Sequence, residues 1–313
     1  MTGRDPSHYI HGSEPEEQRR LALLNDLLNE RSLSALRLRG DERVIDFGSG
    51  LGQFSRAIAR VVASQEGSGR VIGIEQDPEQ LEQAEMLAQL AGEENLVEFR
   101  LGNALEPPLS EGEWGSFDIA HTRFLLEHVP RPQALVGAMV ETVRPGGRVI
   151  LEDDDHDLLR LWPEVPKFEK LWRAYLGTYD RLGNDPYVGR RLVSMLEAAD
   201  AQPVRNDMLF FGSCHADPSF DVMLANFAGL IEGAPETILE STTLSRAELE
   251  EGVAALREWG KRSDAALWYV TCWAEGRREG GATSEAGKTK TKTGASSVTD
   301  PEGTAPRIAP RSS

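Results

Sequence analysis

A parallel α/β sheet flanked by helices is the fold that this 313-residue sequence predicts. Three observations predict it. Short apolar runs alternate with helix-patterned segments from Arg43 to about Leu151; the first run, VIDF, ends in an acid and passes into GSGLG; and the second, VIGIE, ends in another acid, Glu75. Strand and helix alternating in this way build right-handed crossover units on a parallel sheet. An acid at a strand end beside a glycine loop is where such sheets bind ligands.

The elements follow in order. EPEEQRRLALLNDLLNERSLSALRL places Leu21, Leu24 and Leu28, with Leu23 and Leu27 beside them, on one helical stripe. Then come VIDF with QFSRAIARVVA, VIGIE with PEQLEQAEMLAQLA, VEFRLG, FDIAH with PQALVGAMVETV, and RVILE. Beyond Glu152 the pattern changes: PKFEKLWRAYLGTYDRL and GRRLVSMLEAADA read as helices and PVRNDMLFFGS as a strand. PSFDVMLANFAGLI and SRAELEEGVAALREWG are two more helices, and ALWYVTCWAEG is a final strand. From Gly280 onward the only large aliphatics are Val298 and Ile308, so that tail is expected to be disordered.

Composition narrows the function. Lys plus Arg number 34 against 51 Asp plus Glu, a net charge of -17, which disfavours nucleic acid as a partner. Cys214 and Cys272 offer no metal-binding spacing and fit a reducing compartment as buried thiols. No run has the length to span a bilayer, and the first residues lack the apolar core of a secretory signal. The expectation is a cytoplasmic protein without membrane contact.

Glycines at 48, 50 and 52 permit positive φ and let a ligand approach backbone amides at a helix start. A dinucleotide fingerprint would need its third glycine at position 53, which is Gln53. Asp46, two residues before the loop, suits a ligand bearing an ammonium group and repels a pyrophosphate. A purely structural tight turn is the plainer alternative. Glu75 has the position of an acid that accepts ribose hydroxyls, against the reading of a solvated strand end. Asn103, after the third strand, is a candidate reader of an adenine amine or simply a turn residue.

VIDFGSGLGQF, IEQD, GNALE, FDIAHTRFLLEHV and RPGGRVILED, in that order and spacing, resemble the motifs of class I S-adenosylmethionine-dependent methyltransferases. The likeness covers about Asp41 to Asp155, with a weaker match of pattern to Gly276, and is greatest to the small-molecule enzymes of quinone and natural-product biosynthesis. It implies a Rossmann-like seven-stranded sheet of order 3-2-1-4-5-7-6, helices on both faces, a helical lid, and S-adenosylmethionine as cofactor. The expected organisation is an arm and capping helix over 1–40, a methyltransferase domain over 41–276 with lid insertions near 155–186 and 216–264, and a tail over 277–313. The partner expected is a small-molecule acceptor, and the state a monomer or homodimer.

Carried over by position, the resemblance puts Asp46, Gly48, Ser49, Gly50, Gln53 and Phe54 around the methionine part, Glu75 on the ribose, and Gln76, Asn103 and Ala104 on the adenine. Arg123 pairs with the cofactor carboxylate, or else with a surface acid. Tyr9 folds over the cofactor from the N-terminal arm. His121 lies where the fourth strand nears the sulfonium. NDPY, Asn184 to Tyr187, follows the wrong strand for an amine-methylating motif and is read as a turn.

An N–H or O–H acceptor needs a route for its proton, usually a carboxylate or His within reach. The candidate catalytic residues are His121 and, in LEDDDHD at the end of the fifth strand, Asp155 and His156. The same run also reads as a solvated acidic turn, a cation-selecting wall, or a divalent-metal site. No metal is expected, because a single run rarely encloses a cation. Trp162, Phe168, Trp172, Tyr175 and Tyr179 are candidates for an acceptor pocket or for plain core packing, and Phe220, Met223, Phe227 and Ile231 for its closure. His128 is expected to pack or cap a helix. A nicotinamide oxidoreductase and a cofactor-binding regulator without catalysis are the alternatives.

Overall fold

The computed structural model describes residues 27–63 and 69–280. Helix α1 (27–36) precedes β1 (Arg43–Phe47), α2 (Gln53–Ala63), β2 (Arg70–Glu75), α3 (Pro78–Leu90), β3 (Val97–Leu101) and β4 (Phe117–Arg123). Next come α4 (Pro132–Thr142), β5 (Val143–Asp154), the short β6 (Arg160–Trp162), α5 (Pro166–Leu182) and α6 (Leu192–Ala198). The chain continues with β7 (Ala201–Cys214), α7 (Phe220–Glu232), α8 (Pro235–Ser241), α9 (Arg246–Trp259) and β8 (Ala266–Arg278).

The sheet runs β3-β2-β1-β4-β5-β8, with β7 outside β8 and β6 beside the first residues of β8. Strands β1 to β5 are parallel, and β8 enters antiparallel between β5 and β7. This is the expected 3-2-1-4-5-7-6 order, the last two sequence strands filling the places foreseen for FFGS and WYVTCW. Local sequence sets the helix starts: Asp77 accepts the Glu79 and Gln80 amides ahead of Pro78, and Ser245 with Glu248 forms a capping box on α9.

Strand alternation sorts the core into two layers. Val44, Ile119, Ile150 and Trp273 face one side with Leu28, Leu36, Phe54 and the aromatic residues of α5 and α7. Ile45, Phe47, Ala120 and Leu151 face the other with Leu135, Met139 and Leu196 from α4 and α6. Among the described residues no helix is long and apolar enough to cross a membrane.

Three details differ from the expectation. The sequence reading missed β6 and α8, both too short to show a period. Strand β8 continues past residue 276 to Arg278, whose guanidinium donates to the Glu141 and Val143 carbonyls, so the proposed tail does not begin at 277. Cys214 is exposed at the end of β7, while Cys272 is buried, its thiol pushed up to about 12 by that burial.

Candidate functional site

On the carboxyl edge of the sheet, β1 gives way to a loop in which Gly48, Gly50 and Gly52 have φ of 72°, 53° and 71°. Only glycine holds such a run without strain. Space demands it as well: a Cβ on Gly52 would lie 2.3 Å from the Phe99 ring, and one on Gly48 would lie 2.9 Å from Leu125. The Gly48 and Ser49 amides both donate to the Ile74 carbonyl, at 2.9 and 3.0 Å.

Glu75 closes this loop from β2. Its Oε2 accepts the Gly50 amide at 2.8 Å, and its Oε1 accepts the Gln76 and Asp77 amides at 2.8 and 2.9 Å. Burial raises the carboxyl above its usual range, against the lowering effect of those three amides. Ser49 Oγ and Gln53 Oε1 are buried without a hydrogen-bond partner. The loop thus combines bare main chain, a carboxylate and two buried polar atoms that lack a hydrogen-bond partner.

Beneath it a polar row crosses three strands. Asp46 pairs with His121 in the β1–β4 register, and His121 with Ile150, two residue pairs from Glu152 on the same face of β5. Asp46 accepts from Ser55 Oγ at 2.5 Å and meets His121 Nδ1 at 2.8 Å. His121 Nε2 and Glu152 Oε2 lie 3.9 Å apart, both fully buried. Burial would lower the imidazole pKa, but Asp46 and Glu152 together raise it. Glu152 Oε1 accepts from Ser32 at 2.8 Å and Thr271 at 3.2 Å, tying the row to α1 and β8.

The far half of the rim is built from side chains. After β4 the chain turns at Leu125, whose amide and that of Leu126 are accepted by Asp153 at 3.1 and 2.8 Å. This turn delivers Glu127 to the end of β5. His156 Nε2 lies 2.9 Å from Glu127 Oε2, 3.4 Å from the Tyr179 hydroxyl and 4.0 Å from Asp154 Oδ2. The Tyr269 hydroxyl sits 2.6 and 2.8 Å from the two Asp154 oxygens. His128 Nε2 is 3.3 Å from Glu127 Oε1, and its ring stacks on Tyr179.

Opposed charges and burial set the protonation of this cluster. Burial would raise the Glu127 carboxyl, but His128 and His156 hold it well below its usual range. His156 is pushed up to about 9 by Glu127 and Asp154 against the effect of burial. Asp154 rises to about 7, chiefly because it is buried, and Asp153 is raised well above its usual range for the same reason, with Glu127 and Asp154 adding to it.

The positions foreseen from sequence fall into three groups. Asp46, Gly48, Ser49, Gly50, Gln53, Phe54, Glu75 and His121 gather at or under the loop, with Arg123 guanidinium 4.4 Å above the Phe54 ring and donating to Asn29 of α1 at 2.8 Å. Gln76, Asn103 and Ala104 sit at the ends of β2 and β3. The Asn103 side-chain oxygen accepts the Leu105 amide at 2.9 Å, the turn role weighed against adenine reading. Tyr9 lies outside the described residues.

Asp155 differs most from its foreseen role. Its two oxygens receive a two-pronged pair of bonds from Arg190, both at 2.7 Å, so it is engaged before any substrate arrives. His156, its neighbour, is instead the centre of the cluster. Sequence reasoning did not single out Glu127 and Tyr269, and it named Asp154 only within the acidic run, whereas the structure gathers all three around His156. Glu127 hid inside FLLEH, and Tyr269 inside an ordinary strand pattern; only the pairing of β5 with β8 reveals why a tyrosine stands there. Trp162 is exposed on β6, whereas Phe168, Trp172, Tyr175 and Tyr179 are buried and interlocked. Phe227 of α7 meets both Trp172 and Tyr269 at 5.8 Å, joining the insertion to the cluster.

Comparison with known proteins agrees with this geometry. The family described as "Methyltransferase domain" matches residues 38–182. A transposon-encoded uncharacterised protein of Streptomyces fradiae is 35% identical over 175 residues, 55% of this chain and 47% of that protein. A Strobilurus tenacellus methyltransferase is 28% identical over 55% of this chain and 57% of its own length. A ubiquinone biosynthesis O-methyltransferase of Xanthomonas euvesicatoria is 32% identical over 43% of this chain and 52% of its own. The chain thus spans about half the length of these curated relatives. The Bacillus halodurans protein BH2331 shares the fold at a TM-score of 0.53 and 16% identity, over 80% of this chain and 99% of that one. Glycine loop, strand order and the match of residues 38–182 to a methyltransferase domain together make the chain similar to the class I S-adenosylmethionine-dependent methyltransferases.

Proposed function

We propose that the protein transfers a methyl group from S-adenosylmethionine to an oxygen, nitrogen or carbon atom of a small-molecule acceptor. The observation that carries this reading is the loop of three left-handed glycines closed by the Glu75 carboxylate. The residues present fit the cofactor: Ser49 Oγ and Gln53 Oε1 are buried polar atoms awaiting a partner, and Glu75 is an acceptor for hydroxyls. When bound, S-adenosylmethionine supplies a methyl group already activated by the sulfonium charge.

In this reading Gly48, Ser49, Gly50 and Gln53 hold the amino-acid half, with Asp46 kept in place from below by His121 and Ser55. Glu75 exchanges its bond to the Gly50 amide for the ribose hydroxyls. Gln76, Asn103 and Ala104 border the adenine, and Arg123 offers its charge to the carboxylate. His156, paired with Glu127, directs the acceptor's O–H or N–H, while Asp155 acts through Arg190 by fixing the loop that carries His156. The apolar rings of α5 and α7 keep water from the acceptor. Alignment and water exclusion contribute about 7 to 11 kcal/mol in such displacements, so little other work is asked of the side chains. The O-methyltransferase relatives support oxygen as the first acceptor atom to test.

Calorimetry tests the cofactor half. S-adenosylmethionine is expected to bind and NAD not to, and Glu75→Ala to weaken binding by about 1.5 to 3 kcal/mol, as when hydrogen bonds to a charged group are lost. Unchanged affinity in that variant would remove Glu75 from the ribose. Incubation of the protein with methyl-labelled cofactor and a metabolite extract, followed by mass spectrometry, tests transfer. A metabolite gaining one labelled methyl supports it; cofactor binding with no labelled product from any extract would leave a binding protein without catalysis.

A further inference from the structure

Glu127, Asp154 and His156 come from three separate places: the turn after β4, the last residue of β5 and the turn that follows. Their ligand atoms lie within 4.8 Å of one another, and all three side chains are buried. Three oxygens, from Glu127, Asp154 and Tyr179, converge on His156 Nε2, a nitrogen that carries at most one hydrogen. Tyr269 brings a single hydroxyl hydrogen to both oxygens of Asp154. Lone pairs therefore outnumber hydrogens at the centre of the cluster. Arg190, the cation bonded to the same acidic run, is spent on Asp155 and Asp157.

Distance separates this cluster from a chance gathering of acids. Donors at metal-bond length from a common zinc-type ion stand about 3.0 to 3.4 Å apart. The His156–Glu127 separation of 2.9 Å is just short of that range, and the His156–Asp154 separation of 4.0 Å is just beyond it, each within an ångström. Two of the ligating groups have the outer contacts such groups require, Tyr269 on Asp154 and His128 on Glu127, and the backbone of His156 is fixed by its amide donating to the Pro186 carbonyl at 3.1 Å.

We propose that Glu127 Oε2, Asp154 Oδ2 and His156 Nε2 form a divalent-cation site at the end of β5. One imidazole and two carboxylates suit the borderline ions, Mn²⁺ to Zn²⁺, over Ca²⁺. The site stands on its own geometry. Its role rests on the methyl-transfer reading: a bound cation has coordination positions left for an oxygen-bearing acceptor, which makes vicinal or phenolic oxygens the substrate class. His156 then directs the acceptor through the ion.

The test is metal titration of the chelator-treated full chain without S-adenosylmethionine, followed by calorimetry with Mn²⁺ and with Zn²⁺ and by the Mn²⁺ electron-spin signal. One ion per chain is expected. Glu127→Gln and Asp154→Asn should each weaken binding at least about tenfold, with Asp264→Asn, on the exposed surface, leaving it unchanged. Circular dichroism checks that each variant folds, and either variant alone suffices if the other does not. No binding, or binding indifferent to both substitutions, would overturn the site and leave the cluster bridged by protons. Because no activity is read, that failure is distinct from failure of the methyl-transfer reading, which the separate titration with S-adenosylmethionine decides.

Discussion

The two halves of the rim hold their positions by opposite means. Around β1 and β2 the surface is main chain, exposed by three left-handed glycines, two of which, Gly48 and Gly52, also have no room for a side chain. Around β4 and β5 it is a buried knot of Glu127, Asp154, His156, Tyr179 and Tyr269, with Tyr269 bonding to Asp154 across 115 residues of sequence. A backbone surface is specified by local conformation. A side-chain knot is specified by strand pairing and costs desolvation at every member, so its members are interdependent.

The largest effect should come from breaking the knot. Glu127→Ala leaves His156 and His128 without their shared anion, and losing one partner of a buried pair costs about 3 to 5 kcal/mol. Urea denaturation measures this; a loss below 1 kcal/mol would mean that water already reaches the cluster. Next is the glycine half. Gly52→Ala meets a left-handed backbone and a ring at 2.3 Å, which together cost about 2 to 4 kcal/mol. The same denaturation should show it, and a stability equal to the parent would show that Phe99 yields freely.

The smallest effect lies beside the loop, at the end of β3. Arg100 binds Glu113 at 2.7 and 3.0 Å and, with the Ser110 contacts, holds its carboxyl down to about 2. A lowered carboxyl contributes stability that is complete above its ordinary value of 4.5 and is lost as pH falls from there towards 2. Glu113→Gln should therefore flatten the acid limb of the stability profile in that window and leave the neutral region nearly level. An unchanged acid limb would assign it to other carboxylates.

The same division explains what could be read beforehand. Sheet order, the glycine loop and Glu75 were legible because period, glycine and strand-end acid are local signals. Glu127 was not, since nothing in FLLEHV distinguishes a residue aimed at β5 from a helical one. Asp155 misled for the opposite reason: an acid in a conspicuous run drew attention, while its engagement by Arg190 depends on a turn 35 residues later. No metal was expected because a single run rarely encloses a cation; the group that the proposed site adds to that run, Glu127, comes from the turn after β4. Asn103 illustrates a tie, for a turn residue and an adenine reader occupy the same place in sequence.

The loop after α5 is stitched to the knot by main chain and by one side chain: the Asp185 amide donates to the Glu127 carbonyl at 3.0 Å, the Pro186 carbonyl receives the His156 amide, and Arg190 grips Asp155. The aromatic wall above is joined to the same residues, Trp172 donating to the His156 carbonyl and the Tyr179 hydroxyl meeting His156 Nε2, so rewriting either ring would disturb the acids beneath. Under the proposed function, rings of α5 without such bonds, Phe168 first among them, are the route to retuning what the protein accepts.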